Sequence, residues 1–151
     1  MAERLVENMR IWQEARVFTN DIYKMMSVCK DYGFRDQIQR ASVSIMNNIA
    51  EGFESGSDAK FIYFLNIAKG SCSEVKSMLY LCEDFHYCTS DERISLVNKL
   101  LSLSSGIFNL IQYLKKKITP TSPSSVVRCL LSSKKKHLKC IKYELAVSAA
   151  A

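Results

Sequence analysis

Apolar residues recur every three or four positions over most of the first 118 residues, and this periodicity constrains the fold more than any other feature. Such spacing keeps side chains on one side of an α-helix. A strand-rich fold is disfavoured because only 5 Gly and 2 Pro are available for turns. The pattern is clearest at about residues 59–85, at the positions Phe61, Phe64, Leu65, Ala68, Cys72, Val75, Leu79, Cys82 and Phe85.

Three further segments show the same pattern. The first predicted helix covers about residues 7–30, and we expect Gly33 to follow its end in the left-handed conformation that terminates helices. The second covers about residues 35–53, and the fourth runs from a cap at Thr89 to the lysines at 115–117. The predicted apolar stripes are Trp12, Ala15, Phe18, Ile22, Met25 and Cys29; then Ile38, Ala41, Ile45, Ile49 and Gly52; and, in the fourth, Ile94, Val97, Leu101, Ser104, Phe108, Ile111 and Leu114.

Four long helices with short connections bury their stripes most simply against one another. The sequence therefore predicts an all-α fold, an antiparallel up-and-down four-helix bundle over residues 1–118. A Ser/Thr/Pro linker follows at 119–126, because proline prevents the helix from continuing. Residues 127–151 form a basic tail.

The net charge of +6 belongs mainly to that tail. Residues 1–119 carry 15 Lys and Arg against 14 Asp and Glu, whereas residues 120–151 carry 6 against 1. The tail is either a basic amphipathic helix for RNA, an acidic membrane surface or a partner groove, or a frayed end without a role. With no apolar run of membrane-span length and no signal-peptide pattern, we expect a cytoplasmic protein without a membrane partner.

The six cysteines form no Cys-x-x-Cys pair, and no His lies at zinc-finger spacing. Cys29, Cys72 and Cys82 fall at apolar helical positions, which favours reduced thiols packed as small hydrophobic groups. A disulfide framework or a metal site is the alternative.

One segment resembles a metal-ligand motif. Glu83 and His86 have the Glu-x-x-His spacing of di-iron carboxylate bundles, which need two copies and two further glutamates. The other histidine, His137, lies in the tail, so the signal is weak. No nucleophile motif, Walker motif or paired Arg and His of a helical ribonuclease is present. We expect no catalytic residue, metal or cofactor.

The second predicted helix carries polar residues among its apolar ones. Asn47 and Asn48 lie deep in the segment, Glu51 follows, and Arg40 lies three turns earlier. Buried asparagine needs hydrogen-bond partners, which a neighbouring helix or subunit could provide. The alternative is that these side chains face water.

Three motifs carry a resemblance to a known family. Residues 11–16 read Ile-Trp-Gln-Glu-Ala-Arg, and residues 37–52 contain Gln-Ile-x-Arg-Ala-x-Val-Ser-Ile-x-x-Asn-Ile-Ala-Glu-Gly. Residues 61–74 contain Phe-x-x-Phe-Leu-x-Ile-Ala-x-Gly-Ser-x-x-Glu, which ends at Glu74. Together they resemble the four-helix-bundle proteins encoded in intervening sequences of bacterial 23S ribosomal RNA genes, sometimes labelled S23 ribosomal proteins.

The resemblance implies a ring-like homo-oligomer, a pentamer. It also implies kinship with the accessory variability proteins of diversity-generating retroelements, which bind nucleic acid and a reverse transcriptase. It implies no catalytic residues. The polar residues Asn47, Asn48 and Glu51, with Glu74 at the end of the third motif, are candidates for polar packing or an interface.

Two functions therefore remain open. The first is binding of RNA or DNA, or an accessory role to a reverse transcriptase or another RNA-handling protein. The cations available for phosphate contacts are Arg10, Arg16, Arg35, Arg40, Lys60, Lys69, Lys76, Lys115, Lys116 and Lys117. The second is a structural oligomer or protein-interaction module, favoured by the near-neutral bundle and by the aromatic residues Tyr23, Tyr63, Tyr80 and Tyr87.

Overall fold

The computed structural model describes residues 5–118, which form four α-helices. They are α1 (Arg10–Met25), α2 (Tyr32–Glu54), α3 (Asp58–Asp84) and α4 (Ser90–Ile118). Short 3-10 turns lie at Val6–Asn8 and Met26–Val28. No strand occurs in this part of the chain, so the predicted all-α class is confirmed. The predicted linker and tail lie outside the described residues.

Each helix packs against two others. The α1 helix contacts α2 and α4, and α3 contacts the same two helices from the other side. The most extensive packing is between α2 and α3. Because consecutive helices are neighbours joined by short turns, the architecture is the predicted up-and-down four-helix bundle. The predicted ring concerns several copies and stays a prediction.

The core runs along the middle of the bundle, and every helix contributes to it. Ile22, Ile45, Leu65 and Ile107, one from each helix, have no exposed surface. Full burial of one such side chain stabilises the fold by about 1.5–3 kcal/mol. The stripes predicted for α2 and for α3 as far as Cys82 lie in this core, except that Phe64 is half-buried.

The start of α4 follows the predicted cap. The Thr89 backbone N–H and hydroxyl donate to Glu92 Oε2 at 2.8 and 2.9 Å, and the Glu92 N–H donates to Thr89 Oγ1 at 3.3 Å. This reciprocal pair is a capping box, which satisfies backbone donors that the first turn leaves unpaired.

The boundary between α1 and α2 differs from the prediction. Gly33 does not terminate the first helix, because it lies inside the first turn of α2. The Asp31 carboxylate accepts a hydrogen bond from the Phe34 N–H at 3.1 Å and caps α2 three residues earlier than expected. The left-handed conformation occurs instead at Gly56 and His86 among the described residues.

The predicted α4 stripe is wrong at three positions. Ile94, Leu101 and Phe108 are 46%, 45% and 44% exposed. The core uses neighbouring residues instead, among them Leu100 and Ile107. Because α4 has apolar residues at adjacent positions, about 100° apart around the helix, spacing alone does not decide which one faces inward. The same one-residue ambiguity affects the first stripe, where the predicted Trp12 and Met25 are half-buried and their neighbours Ile11 and Met26 are buried. Phe85, predicted at the end of the α3 stripe, is exposed.

Candidate interaction surface

Small polar residues form the seam between α2 and α3. The hydroxyls of Ser44 and Ser71 lie 3.0 Å apart across the two helices. The Asn48 amide donates to the Ser44 carbonyl at 2.8 Å and to the Ser44 hydroxyl at 3.1 Å. Asn48 is thus half-buried and bonds its own helix, and it reaches α3 only through Ser44. Asn47, Glu51 and Glu74 face solvent.

One glycine sets how closely these helices approach. A Cβ atom on Gly52 would lie 2.7 Å from Phe61 Cδ2 and 3.0 Å from Phe64 Cβ. Both distances are shorter than van der Waals contact, so a larger residue at position 52 would push α3 away. The bundle itself therefore requires the glycine that ends the second motif.

The outward side of the same seam carries other residues of the motifs. We call it the α2–α3 face, formed by Arg40, Asn47, Glu51, Tyr63, Ile67, Gly70 and Glu74. Its members on each helix are spaced by three, four or seven residues, so they share one side of that helix. Tyr63 is 63% exposed and Ile67 is 37% exposed.

Charges of both signs lie at the two ends of this face. Arg40 and Glu74 each lie about one turn beyond the Ser44–Ser71 contact, on antiparallel helices. At the other end, Glu51, Lys60 and Tyr63 line one shallow depression. Within residues 5–118, none of these four charged side chains forms an ion pair. Together with the adjacent Lys60 the face is close to neutral, and these four charges have no ion-pair partner within residues 5–118.

Gly70 lies at the centre of the α2–α3 face. Within residues 5–118, no atom outside the neighbouring residues and backbone of α3 lies within 4 Å of the position that its Cβ would occupy. Glycine inside a helix costs about 0.5–1 kcal/mol relative to alanine. Nothing in the described bundle requires this glycine, in contrast to Gly52.

The ten predicted cations do not form one patch. Arg35 lies in the second turn of α2, whereas Lys60 and Lys115–Lys117 lie at the opposite end, where Lys117 Nζ contacts Asp58 at 2.8 Å. Arg10 is paired with Glu14 at 3.0 Å. Arg16 lies over the Trp12 ring and Arg35 over the Tyr32 ring, with 5.9 and 4.7 Å to the centroids. Arg40 belongs to the α2–α3 face, and Lys69 and Lys76 lie on α3.

The aromatic residues proposed for an interface separate into two groups. Tyr23, Tyr63 and Tyr80 are exposed, as expected. Tyr87 instead packs edge-on against Phe34 and Phe85, and its hydroxyl donates to Asp31 at 3.1 Å. Tyr87 therefore closes one end of the bundle.

Glu83 and His86 are not arranged as metal ligands. Glu83 accepts a hydrogen bond from Ser90 and forms an ion pair with Arg93, and both partners lower the pKa of its carboxyl. His86 is exposed beyond the end of α3, at φ 58°. Its N–H donates to the Glu83 carbonyl and the Tyr87 N–H to the Cys82 carbonyl, which is a Schellman ending. Residues 5–118 contain no cluster of three or more potential metal ligands.

The cysteines of the described chain are free thiols, and Cys29, Cys72 and Cys82 are buried as predicted. Burial raises the pKa of the Cys72 and Cys82 thiols to about 12. They therefore stay protonated at neutral pH and pack as small apolar groups.

One helix of the described chain, α4, is long and apolar enough to cross a membrane, judged by length and composition alone. The sequence led us to expect no such segment. Core helices of bundles pass the same test, and α4 contributes seven buried residues to this core.

A family model described as 23S rRNA-intervening sequence protein matches residues 7–109. The chain belongs to that family. It is also similar to a protein of unknown function from the S23 ribosomal protein family of Bacteroides thetaiotaomicron VPI-5482, whose crystal structure was determined at 1.70 Å. The two share 28% identity and superpose with a TM-score of 0.63 over 67% of this chain and 97% of that chain. No curated protein matches the sequence.

The family match covers all three motifs, so the resemblance to this family is confirmed. The match extends through most of α4 and stops before the three lysines at 115–117. Five motif positions outside the core lie on the α2–α3 face: Arg40, Glu51, Ile67, Gly70 and Glu74. Sequence reasoning named five of its seven residues, Arg40, Asn47, Glu51, Tyr63 and Glu74, but gave no role to Ile67 or Gly70.

Proposed function

We propose that this member of the 23S rRNA-intervening sequence protein family is a non-enzymatic, self-associating bundle, and that its α2–α3 face binds a second copy. The single observation that carries the proposal is Gly70, a helix-interior glycine that nothing in the bundle requires. A backbone that approaches from another molecule would require it, because small residues allow close helix contact.

The charges of the α2–α3 face support a second copy as the partner. Arg40 and the adjacent Lys60 are available to acids, and Glu51 and Glu74 to bases, so the face can pair with a different surface of a second copy that carries charges of both signs. Exposed Tyr63 beside Ile67 provides the apolar and aromatic area that is typical of interface cores.

A contact between two different surfaces of identical copies repeats by rotation and closes into a ring when the angle allows. We propose such a ring, and the family resemblance makes a pentamer the expected size. No residue in this proposal is assigned a catalytic role.

The association state of the full chain tests the proposal. Light scattering coupled to gel filtration, at micromolar concentration, compares the native chain with Gly70→Gln. A side chain at position 70 meets open space in the isolated bundle, so the variant should fold and its helix content should be unchanged. We expect the native chain to be an assembly of fixed stoichiometry and Gly70→Gln to be a monomer.

Ser95→Gln is the matched control, because Ser95 is exposed on α4 beside residues of α1, away from the α2–α3 face. It should assemble like the native chain. A native chain that stays monomeric at the highest concentration, or a Gly70→Gln variant that assembles normally, would refute the proposal.

A second candidate function is the binding of nucleic acid, alone or as accessory to an RNA-processing or reverse-transcribing partner. The observation that favours it is the lysine-rich end of the bundle, where Lys115–Lys117 end α4 close to the start of α3. In a ring these cations would repeat once per copy, which strengthens the local field.

A salt titration with single-stranded RNA and double-stranded DNA tests this function. Phosphate contacts release counterions, so affinity should fall steeply with salt, and replacing Lys115–Lys117 by Gln should reduce that slope. Replacing Lys24, an exposed lysine of α1, by Gln should reduce it less. Binding that is absent, or that does not change with salt, would remove this candidate.

A further inference from the structure

A second exposed surface lies between α3 and α4. Ile94, Leu101 and Phe108 recur at seven-residue intervals and are all close to half exposed. They span 14 residues of α4, or roughly 21 Å at 1.5 Å per residue. We call this stripe, together with Lys69, Lys76 and Tyr80 of α3, the α3–α4 face.

The exposed side of α4 is unusual for a helix in contact with water. Between Arg93 and Lys115 its only charged residue is Lys99. Lys99 is turned toward α1, where its Nζ contacts Asp21 Oδ2 at 2.7 Å. Surface helices normally carry charges opposite their apolar stripe, and an exposed apolar stripe with a polar rim marks a site of interaction.

Cations form the rim of this stripe on the α3 side. Lys69 Nζ lies 4.9 Å from the centre of the Phe108 ring. Lys76 lies two turns further along α3, and neither lysine has an acidic partner within residues 5–118. At the far end, Arg93 lies over the Tyr80 ring and is already paired with Glu83.

We propose that the α3–α4 face binds an amphipathic helix with an acidic flank from another protein. Apolar side chains at seven-residue intervals on such a helix would pack against Ile94, Leu101 and Phe108. Its carboxylates would reach Lys69 and Lys76, the two unpaired lysines of the rim.

Charge disfavours the other occupants. The same face of a second copy would bring lysines against lysines. Residues 127–151 of this chain carry five lysines, so they present the wrong sign as well. Phosphates of a nucleic acid would match the lysines, but the aliphatic Ile94 and Leu101 offer nothing to a base or a phosphate.

A synthetic peptide tests the proposal on the full chain. The probe is a fluorescently labelled helical peptide with leucine at every seventh position and glutamate on both flanks. The comparison peptide has lysine in place of each glutamate, and polyuridine RNA is the third probe. We expect the acidic peptide to bind, and the other two to bind at least about tenfold more weakly.

Two variants locate the binding site. Lys69→Glu combined with Lys76→Glu should weaken acidic-peptide binding by about tenfold or more, because both ion pairs become repulsions. Leu101→Ser should also weaken it, since the central apolar anchor is lost. Lys24→Glu, at an exposed lysine of α1, is the control for charge reversal away from this face and should change affinity by less than about twofold.

Circular dichroism confirms that each variant is folded, and light scattering shows whether its association state is that of the native chain. Unchanged association with lost peptide binding separates this surface from the α2–α3 face. Absence of acidic-peptide binding at millimolar concentration, equal binding of the lysine peptide or the RNA, or equal loss in Lys24→Glu would overturn the proposal.

Discussion

The seam between α2 and α3 has an inner side, packed within the bundle, and an outer side, the α2–α3 face. The residue types of the two sides have different explanations. On the inner side, Gly52 packs against Phe61 and Phe64, and the hydroxyls of Ser44 and Ser71 form a hydrogen bond. Packing within the bundle therefore explains why these residues are small. On the outer side, no other residue of the described bundle comes within 4 Å of the place where a Gly70 Cβ would lie. Packing within the bundle therefore accounts for Gly52 of the second motif but not for Gly70 of the third.

A substitution on the inner side should change stability most. Gly52→Ala places a methyl group 2.7 Å from Phe61 Cδ2 in a packed core, so it should lower the free energy of unfolding by about 1–3 kcal/mol. Urea denaturation followed by circular dichroism measures it. The matched control is Gly33→Ala, at an exposed helical glycine with a nearest contact of 3.7 Å, which should be neutral or stabilising. Equal stability of Gly52→Ala and the native chain would contradict the close-packed seam.

A substitution on the outer side should change the free energy of unfolding in the opposite direction. Gly70→Ala should raise the free energy of unfolding of the isolated bundle by about 0.5–1 kcal/mol, because alanine favours the helix and meets no neighbour. The measurement is made at a dilution where light scattering shows monomers. A loss of stability would mean that position 70 is packed within the bundle, and the contrast with Gly52 would disappear.

A smaller effect is expected for the hydrogen bond across the seam. Ser44→Ala removes the contact to Ser71, but Ser71 keeps its bond to the Ile67 carbonyl and Asn48 keeps its bond to the residue 44 carbonyl. The loss should therefore be about 0.5–1 kcal/mol. Ser105→Ala, at an exposed serine of α4, should cost less. A double-mutant cycle with Ser71→Ala that shows no coupling would rule out the cross-helix bond.

The carboxylates of Glu83 and Glu92 have hydrogen-bond partners and should make stability depend on pH, whereas an exposed carboxylate without a partner should not. Hydrogen bonds from Thr89 lower the pKa of Glu92, and Ser90 and Arg93 lower that of Glu83. Both groups therefore contribute stability that is present above the ordinary carboxyl pKa and is lost as the pH falls through their lower values. Glu92→Gln keeps the capping geometry, but its side chain does not titrate. The free energy of unfolding of this variant should therefore fall less between neutral and acid pH, as thermal unfolding at each pH would show. Glu7→Gln, which alters an exposed carboxylate that forms no ion pair within residues 5–118, is the control. An acid dependence of stability in Glu92→Gln equal to that of the native chain would count against this linkage.

Periodicity was enough to predict the four helices and their order, because each stripe repeats over several turns. It does not distinguish adjacent apolar residues: the spacing favours Leu101 and Phe108 as core residues, whereas Leu100 and Ile107 are the buried ones. Gly33 does not end the first helix as predicted, because the Asp31 side chain caps α2 and places this glycine inside the first turn of that helix. The lack of contacts around Gly70 depends on which residues of α2 and α3 meet, and a single sequence does not contain that information.

The close approach of α2 and α3 has a consequence for the order of folding. The two helices share the most extensive packing and are joined by only three residues, 55–57, so closing this hairpin costs little chain entropy. We therefore expect the α2–α3 hairpin to form early, and α1 and α4 to pack onto it afterwards. Substitutions at Gly52 should then slow refolding more than they accelerate unfolding.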